Sequence, residues 1–371
     1  LYMDIETVNR FLNPDISMMQ GVGDMEVTEE ENTLAIQVGH IVTAKALKSG
    51  VDAVMPAMPD PEIPASVGQF HTFPYAMPAA QQPYVVDDPV IQARLTRVYE
   101  QEQTGELEEP NSMVVACASS VCTSEQALDV KPQSSSERIV LYVCGGGFVS
   151  SDTALLKWHY MRVSQELGQR VFVPRYHVAP AHVFPRAIHD VYTAFMYLVN
   201  QGFRAQDITV LGISAGANIA LAVVELLRIQ KEPEPSRIVV VAPCVDLTLS
   251  MDSWTRNHDK CVLGYIPEDN PHSMPRVYYG DVESGVDVLA MLRHPLLSPL
   301  FGRVHTGPPL QIHSGTCDAL ADDAVALAQR VPHAELITYP GRNHYTILRG
   351  KQQLDAMYAH MRRFIQTPCS E

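Results

Sequence analysis

The spacing of apolar residues along the chain changes character near residue 110. Upstream, residues 33–48 (TLAIQVGHIVTAKALK) and 89–102 (PVIQARLTRVYEQE) place apolar side chains three and four apart, the period of a helix with one buried face. Between them, residues 55–89 hold eight prolines together with Met55, Met58, Met77, Phe70, Phe73 and Tyr75. Proline at that density sustains neither a helix nor a central strand, so the segment is expected to be an extended surface connection. It reads either as a linking arm or as a lid, since methionine adapts to irregular apolar surfaces.

Downstream, short apolar runs alternate with helical periods. Strands are expected at 113–118, 127–131, 138–143 (RIVLYV), 171–174, 207–212 (DITVLG), 237–242, 310–314 and 334–339, and helices at 154–165, 187–200 and 215–228. Apolar strands joined by crossover helices predict an α/β fold, a mostly parallel central sheet with helices on both faces. Residues 246–295 interrupt the alternation with a long insertion that brings its own aromatics, Trp254, Tyr265, Tyr278 and Tyr279.

Charge and cysteine usage narrow the partners. Across 371 residues, 42 acidic side chains against 27 basic ones give a net charge of -15, with no Lys/Arg cluster. Nucleic acid and anionic membrane surfaces are therefore poor partners. No apolar run approaches the roughly 18 to 20 residues of a membrane-spanning helix, so stable membrane insertion is not expected. The cysteines, at 117, 122, 144, 244, 261, 317 and 369, form no C-x-x-C pair and no zinc-spaced cluster. Scattered thiols suit a reducing compartment, and residues 1–24 lack the pattern of a secretory leader. A cytoplasmic protein without metal or cofactor is expected, acting on a small molecule. Assembly into a homodimer is compatible with this reading.

The chemistry concentrates at Gly212-Ile213-Ser214-Ala215-Gly216. Gly-x-Ser-x-Gly arises by chance in about one of eight chains of this length, but here a strand enters it and a helix leaves it. That is the geometry of a nucleophile elbow, which lifts a serine above the sheet edge at a helix N-terminus. A serine hydroxyl needs a positioned base. Of the 14 histidines, His344 lies in the loop after the last expected strand, beyond the carboxyl edge of the sheet where α/β proteins carry functional groups. His313, inside a strand, and His294, before a proline, read as structural.

An orienting carboxylate is expected from Asp318, just past the strand at 310–314, with Asp246 as the rival. Asp322 and Asp323 read as first-turn charges of the next helix. Gly145-Gly146-Gly147-Phe148 follows another strand. The N–H groups of Gly146 and Gly147, with that of Ala215, are expected to form an oxyanion hole, and Phe148 to contact substrate.

With these residues in order, the chain resembles the hormone-sensitive-lipase-like branch of the α/β-hydrolases over about 230 residues, from Arg138 to Ile365. The resemblance rests on CGGGF at 144–148, YHVAPAHVFP at 176–185 followed by Asp190, the Ser214 elbow, PCVDL at 243–247, HPLLSPL at 294–300, and the Asp318 and His344 segments. It implies an α/β-hydrolase fold in two parts. One is an N-terminal cap or lid region over residues 1–110, with its Pro-rich segment at 55–89. The other is a catalytic domain over 111–371, whose insertion at about 247–293 joins the cap. Cys144 departs from the family's usual His, which is expected to leave the glycine loop looser or differently held. Ile213 and Ala217 stand where an acidic residue and a glycine are usual.

The activity implied is that of a serine carboxylic ester hydrolase on a medium-sized apolar molecule, such as a secondary metabolite. Two other readings stay open. The same site could run a lyase, cyclase or acyl-transfer step, since the family includes a plant dehydratase. It could also belong to a non-catalytic small-molecule binding protein, although the family's receptors have lost the histidine that this chain keeps.

Overall fold

The computed structural model describes residues 26–49, 68–74, 85–104, 111–117, 131–132, 134, 137–151, 157–267 and 269–367. Two N-terminal helices, α1 (Glu29–Ser49) and α2 (Pro89–Thr104), bracket a strand β1 (Gly68–Pro74). Each helix opens on a side-chain cap. Thr28 and Glu31 bond reciprocally across the first turn of α1, and Asp88 accepts from the N–H groups of Val90 and Ile91 in α2. The sheet continues through β2 (Asn111–Cys117), β3 (Ile139–Val143), β4 (Arg170–Arg175), β5 (Ile208–Ile213), β6 (Arg237–Val241), β7 (Leu310–Gly315) and β8 (Glu335–Tyr339).

Their spatial order is β1-β2-β4-β3-β5-β6-β7-β8. The six strands from β4 to β8 are parallel, whereas β2 runs antiparallel to β4 and β1 antiparallel to β2. Part of the Pro-rich segment is thus a strand, at the edge of the sheet, where proline at a terminus removes no needed hydrogen bond. The strand expected at 127–131 lies almost wholly outside the described residues, as does the rest of 55–84.

Every residue of β3, β5, β6 and β7 is buried, as a sheet covered on both faces requires. Two helical layers cover it: α3 (Lys157–Leu167) packs with α10 (Lys351–Gln366), and α4 (Arg186–Asn200) with α5 (Ala215–Gln230). Helix α9 (Ala321–Arg330) covers β7 and β8. After β6, the insertion folds as short helices, α6 (Ser253–Arg256), α7 (Met274–Tyr279) and α8 (Val288–Met291). Among the described residues no helix is long and apolar enough to cross a membrane.

The N-terminal helices are fastened to the insertion. Helix α1 packs on α7 and on the turn at His258–Lys260. On α2, the buried guanidinium of Arg94 donates to the carbonyls of Phe184, Tyr279 and Asp281 and pairs with Glu283 at 2.7 Å. It also lies 3.9 Å from the centre of the Tyr279 ring.

Two core histidines carry a pH cost. His313 bonds Tyr339 at 2.7 Å and Gln311 at 2.9 Å, and His159 bonds Tyr142 at 2.9 Å. Burial lowers both imidazoles from 6.5 to about 3, so between those values the unfolded chain binds more protons and stability rises with pH. Buried Asp323 opposes this above its ordinary 3.8, because desolvation raises its carboxyl, so the imidazole share is read by comparing variants. In urea unfolding, the change in free energy from about pH 5.5 to about pH 7.5 is expected to include a gain from each of the two imidazoles. His313→Leu should flatten that slope by up to about 1.4 kcal/mol per pH unit; an unchanged slope would rule the assignment out.

Candidate active site

Each candidate side chain follows the carboxyl end of a parallel strand: the glycine loop after β3, Ser214 after β5, Asp246 after β6, Asp318 after β7 and His344 after β8. Adjacent parallel strands bring these loops to one rim. Ser214 sits between β5 and α5 at φ 56°, ψ -122°, a backbone region that L residues enter at about 1–3 kcal/mol. The turn is pressed against β3: a Cβ on Gly216 would lie 2.2 Å from the Val143 carbonyl and 2.3 Å from that of Cys144. Only glycine passes there, and the strained serine is the result.

His344 lies between Ser214 and Asp318. Its Nε2 is 2.9 Å from the Ser214 hydroxyl, and its Nδ1 is 3.0 and 3.2 Å from the two Asp318 carboxylate oxygens. A carboxylate only accepts, so Nδ1 carries the proton and Nε2 presents its lone pair to the hydroxyl. Asp318 is fully buried, and Ser214 is 8% exposed. The carboxylate also accepts from the Leu320 N–H at 3.0 Å and from the Cys261 thiol at 3.7 Å, and Asn257 donates to the Asp318 carbonyl at 2.8 Å. Burial and the nearby Asp318 charge push the Cys261 thiol up to about 12, so the sulfur keeps its proton and donates.

The rival acid is committed elsewhere. Asp246 accepts from the N–H and hydroxyl of Thr248 and from the Ser250 hydroxyl, which occupies both its oxygens in closing its own turn. Asp322 pairs with Arg256 at 2.5 Å. Asp322 and Asp323 both lie in the first turn of α9, as expected; Asp323 is fully buried there and accepts from the N–H groups of Val245 and Asp246. His294 is structural, its Nδ1 accepting from the Leu296 N–H at 3.2 Å.

Of the two outcomes expected from Cys144, the glycine loop is differently held rather than loose. The Tyr176 hydroxyl donates to the Cys144 carbonyl at 2.7 Å, the Cys144 thiol donates to the Ser151 carbonyl, and Cys144 is fully buried. Gly146, at φ 140°, has its carbonyl bonded by Val149 and Ser150. A Cβ on it would lie 2.2 Å from the Ser150 carbonyl. Gly147, at φ 59°, faces open space where a Cβ would stand. Ala215 is the first residue of α5, and its N–H has no acceptor within the helix.

Phe148 is not open to a ligand as expected. It is 1% exposed and stacks at 4.0 Å on Tyr278 of the insertion, so its ring joins the core to α7.

Sequence reasoning passed over Tyr176, Asn257, Cys261 and Asn343. The Asn343 Oδ1 accepts from the N–H groups of Tyr345 and Thr346, and the Thr346 hydroxyl accepts from the Asn343 N–H at 2.8 Å, which fixes the backbone on both sides of His344. A polar residue flanking a candidate base was the only signal. Among the described residues no group of three or more His, Cys, Asp or Glu could hold a metal ion.

A strained serine contacting an imidazole that is backed by a buried carboxylate, beside a glycine loop on a parallel sheet, defines a site of the α/β-hydrolase class. A family model described as alpha/beta hydrolase fold matches residues 140–348, and the chain belongs to that family. It is 31% identical over 229 residues to an acetyl-hydrolase of Streptomyces hygroscopicus, covering 62% of this chain and 72% of that one. It is 27% identical over 210 residues to an esterase of Acinetobacter venetianus, covering 56% and 66%. The chain thus spans about two thirds of the length of these curated relatives. Its fold resembles the crystal structure of an esterase from the bacterial hormone-sensitive lipase family, at 19% identity and TM-score 0.59 over 98% of this chain and 100% of that one.

Tyr176→Phe removes the donor to the buried Cys144 carbonyl. Urea unfolding is expected to show a loss of about 1–3 kcal/mol, the cost of an orphaned buried acceptor. A variant as stable as the parent would mean that the loop is braced by other contacts.

Proposed function

We propose that this protein is a serine carboxylic ester hydrolase working through an acyl-enzyme on Ser214. The observation that carries the proposal is the chain of contacts from Asp318 through His344 to the Ser214 hydroxyl, each within 3.2 Å. His344 Nε2 takes the hydroxyl proton as Ser214 Oγ attacks the ester carbonyl. The new oxyanion turns toward the N–H groups of Gly146, Gly147 and Ala215, each worth about 2.7–4 kcal/mol in such a site. Collapse breaks the ester C–O bond, and Nε2 returns the proton to the departing alcohol. A water, deprotonated by His344, then attacks the acyl-serine and releases the acid. Asp318 holds the tautomer and faces the imidazolium formed in each half.

The substrate class we assign is an ester of a medium-sized apolar molecule, such as an acylated secondary metabolite. The relatives named esterase and acetyl-hydrolase support the ester. In this reading α1, α2 and the insertion act together as a cap. The tight hold on Cys144 leaves no loosened loop to favour a lyase, cyclase or acyl-transfer reaction. The contact of His344 with Ser214 gives no support to a non-catalytic binding protein.

Wild-type protein is expected to hydrolyse p-nitrophenyl acetate and butyrate, and a fluorophosphonate should label Ser214. Ser214→Ala should bring turnover down to the spontaneous background, and Asp318→Asn should lower kcat by on the order of 10⁴-fold through the wrong tautomer. Equal rates for wild type and Ser214→Ala would sink the proposal.

A further inference from the structure

We infer that Asn343 is a positioning residue through which docking of α1 and the insertion sets the catalytic reach of His344; the inference rests on the hydrolase reading above. The Asn343 side chain is 1% exposed, and its amide orientation is dictated by its neighbours. The N–H groups of Tyr345 and Thr346 can only donate, so Oδ1 faces them, at 3.1 and 2.9 Å. Nδ2 then spends its two protons outside the loop. One goes to the Asn32 Oδ1 on α1 at 2.9 Å, and the other to the Lys260 carbonyl of the insertion at 2.7 Å. A single amide therefore ties three segments, and the next residue in the chain is the base.

The seam that holds this amide is close-packed. A Cβ on Gly39 of α1 would lie 2.5 Å from the Val262 carbonyl. His40 bonds the Cys261 carbonyl at 2.9 Å and stacks on His258 with ring centres 4.6 Å apart. The Cys261 thiol in turn contacts Asp318 at 3.7 Å. Both His344 and Asp318 thus lean on the α1–insertion seam, the base through its neighbour Asn343 and the acid directly. Arg342 adds an exposed pair with Glu26 at 3.1 Å, which contributes little by itself. Withdrawal of α1 removes the Asn32 acceptor and leaves Asn343 free to turn, with the peptide on which the imidazole is mounted. A misplacement of about 1 Å is enough to cost about a hundredfold in rate.

Asn32 touches neither Ser214 nor Asp318 nor His344, which makes it the position to vary. Asn32→Leu keeps the size and removes the acceptor, Asn32→Asp keeps an acceptor oxygen, and Thr33→Ala alters the same helix on its exposed side. With p-nitrophenyl butyrate, Asn32→Leu is expected to lower kcat at least about tenfold with KM within about twofold, and to slow fluorophosphonate labelling of Ser214 in parallel. Its urea midpoint should fall modestly, because the Asn343 Nδ2 loses one acceptor, while the chain stays folded under assay conditions. Asn32→Asp should recover most of kcat, and Thr33→Ala should match wild type. The inference is overturned by an unchanged kcat in Asn32→Leu, by Asn32→Asp as slow as Asn32→Leu, or by a rate loss no larger than the unfolded fraction under assay conditions accounts for. If wild type is neither labelled nor active, the hydrolase reading fails instead. The clamp is then judged by hydrogen exchange at Tyr345 and Thr346: faster exchange in Asn32→Leu upholds it, and equal exchange refutes it.

Discussion

The turn from β5 into α5 has almost no room to exist, and the architecture of the site follows from that constraint. It passes so near β3 that a side chain at Gly216 would meet two backbone carbonyls. The chain can turn there only with Ser214 at positive φ, and that conformation points the hydroxyl away from the sheet. The stored strain, about 1–3 kcal/mol, is borne by a parallel sheet whose central strands are buried at every position. A softer scaffold would relax the turn and withdraw the hydroxyl from the imidazole. Sheet rigidity and the reach of the serine are one property seen at two scales.

Three buried carboxylates, Asp246, Asp318 and Asp323, crowd beneath the same rim, and the hydrogen bonds each receives separate their roles. Hydroxyls and an N–H of its own turn take up Asp246. Asp323 ties that turn to α9 through two backbone N–H groups, and desolvation raises its carboxyl. Asp318 alone faces an imidazole. Mutual repulsion among buried charges favours this outcome, with one of the acids tending to stay protonated.

Much of the framework was legible in the sequence because parallel strands buried on both faces are mostly apolar, and β3, β5 and β6 read so, while the polar Gln311 and His313 of β7 bond each other in the core. The order Ser214, Asp318, His344 was legible for a related reason, since each residue follows a strand by a few positions and parallel strands all end at one edge. Edge strand β1 was hidden by prolines that argue only against a central strand. The bracing of Cys144 by Tyr176 joins segments 32 residues apart, and the grip of Asn32 on Asn343 spans 311. No local pattern encodes such distances. Phe148 was misjudged because a ring beside a glycine loop looks available until the insertion folds over it.

Arg94 gives the N-terminal region a dependence of its own. Its guanidinium supplies donors to three backbone carbonyls of the segments flanking and composing the insertion, and those acceptors are met by a helix encoded nearly two hundred residues away from Glu283. An exchange of the first hundred residues between relatives would succeed only where the incoming helix carried a cation at the same height. Sequence change in α2 and in the insertion is thus coupled through one guanidinium.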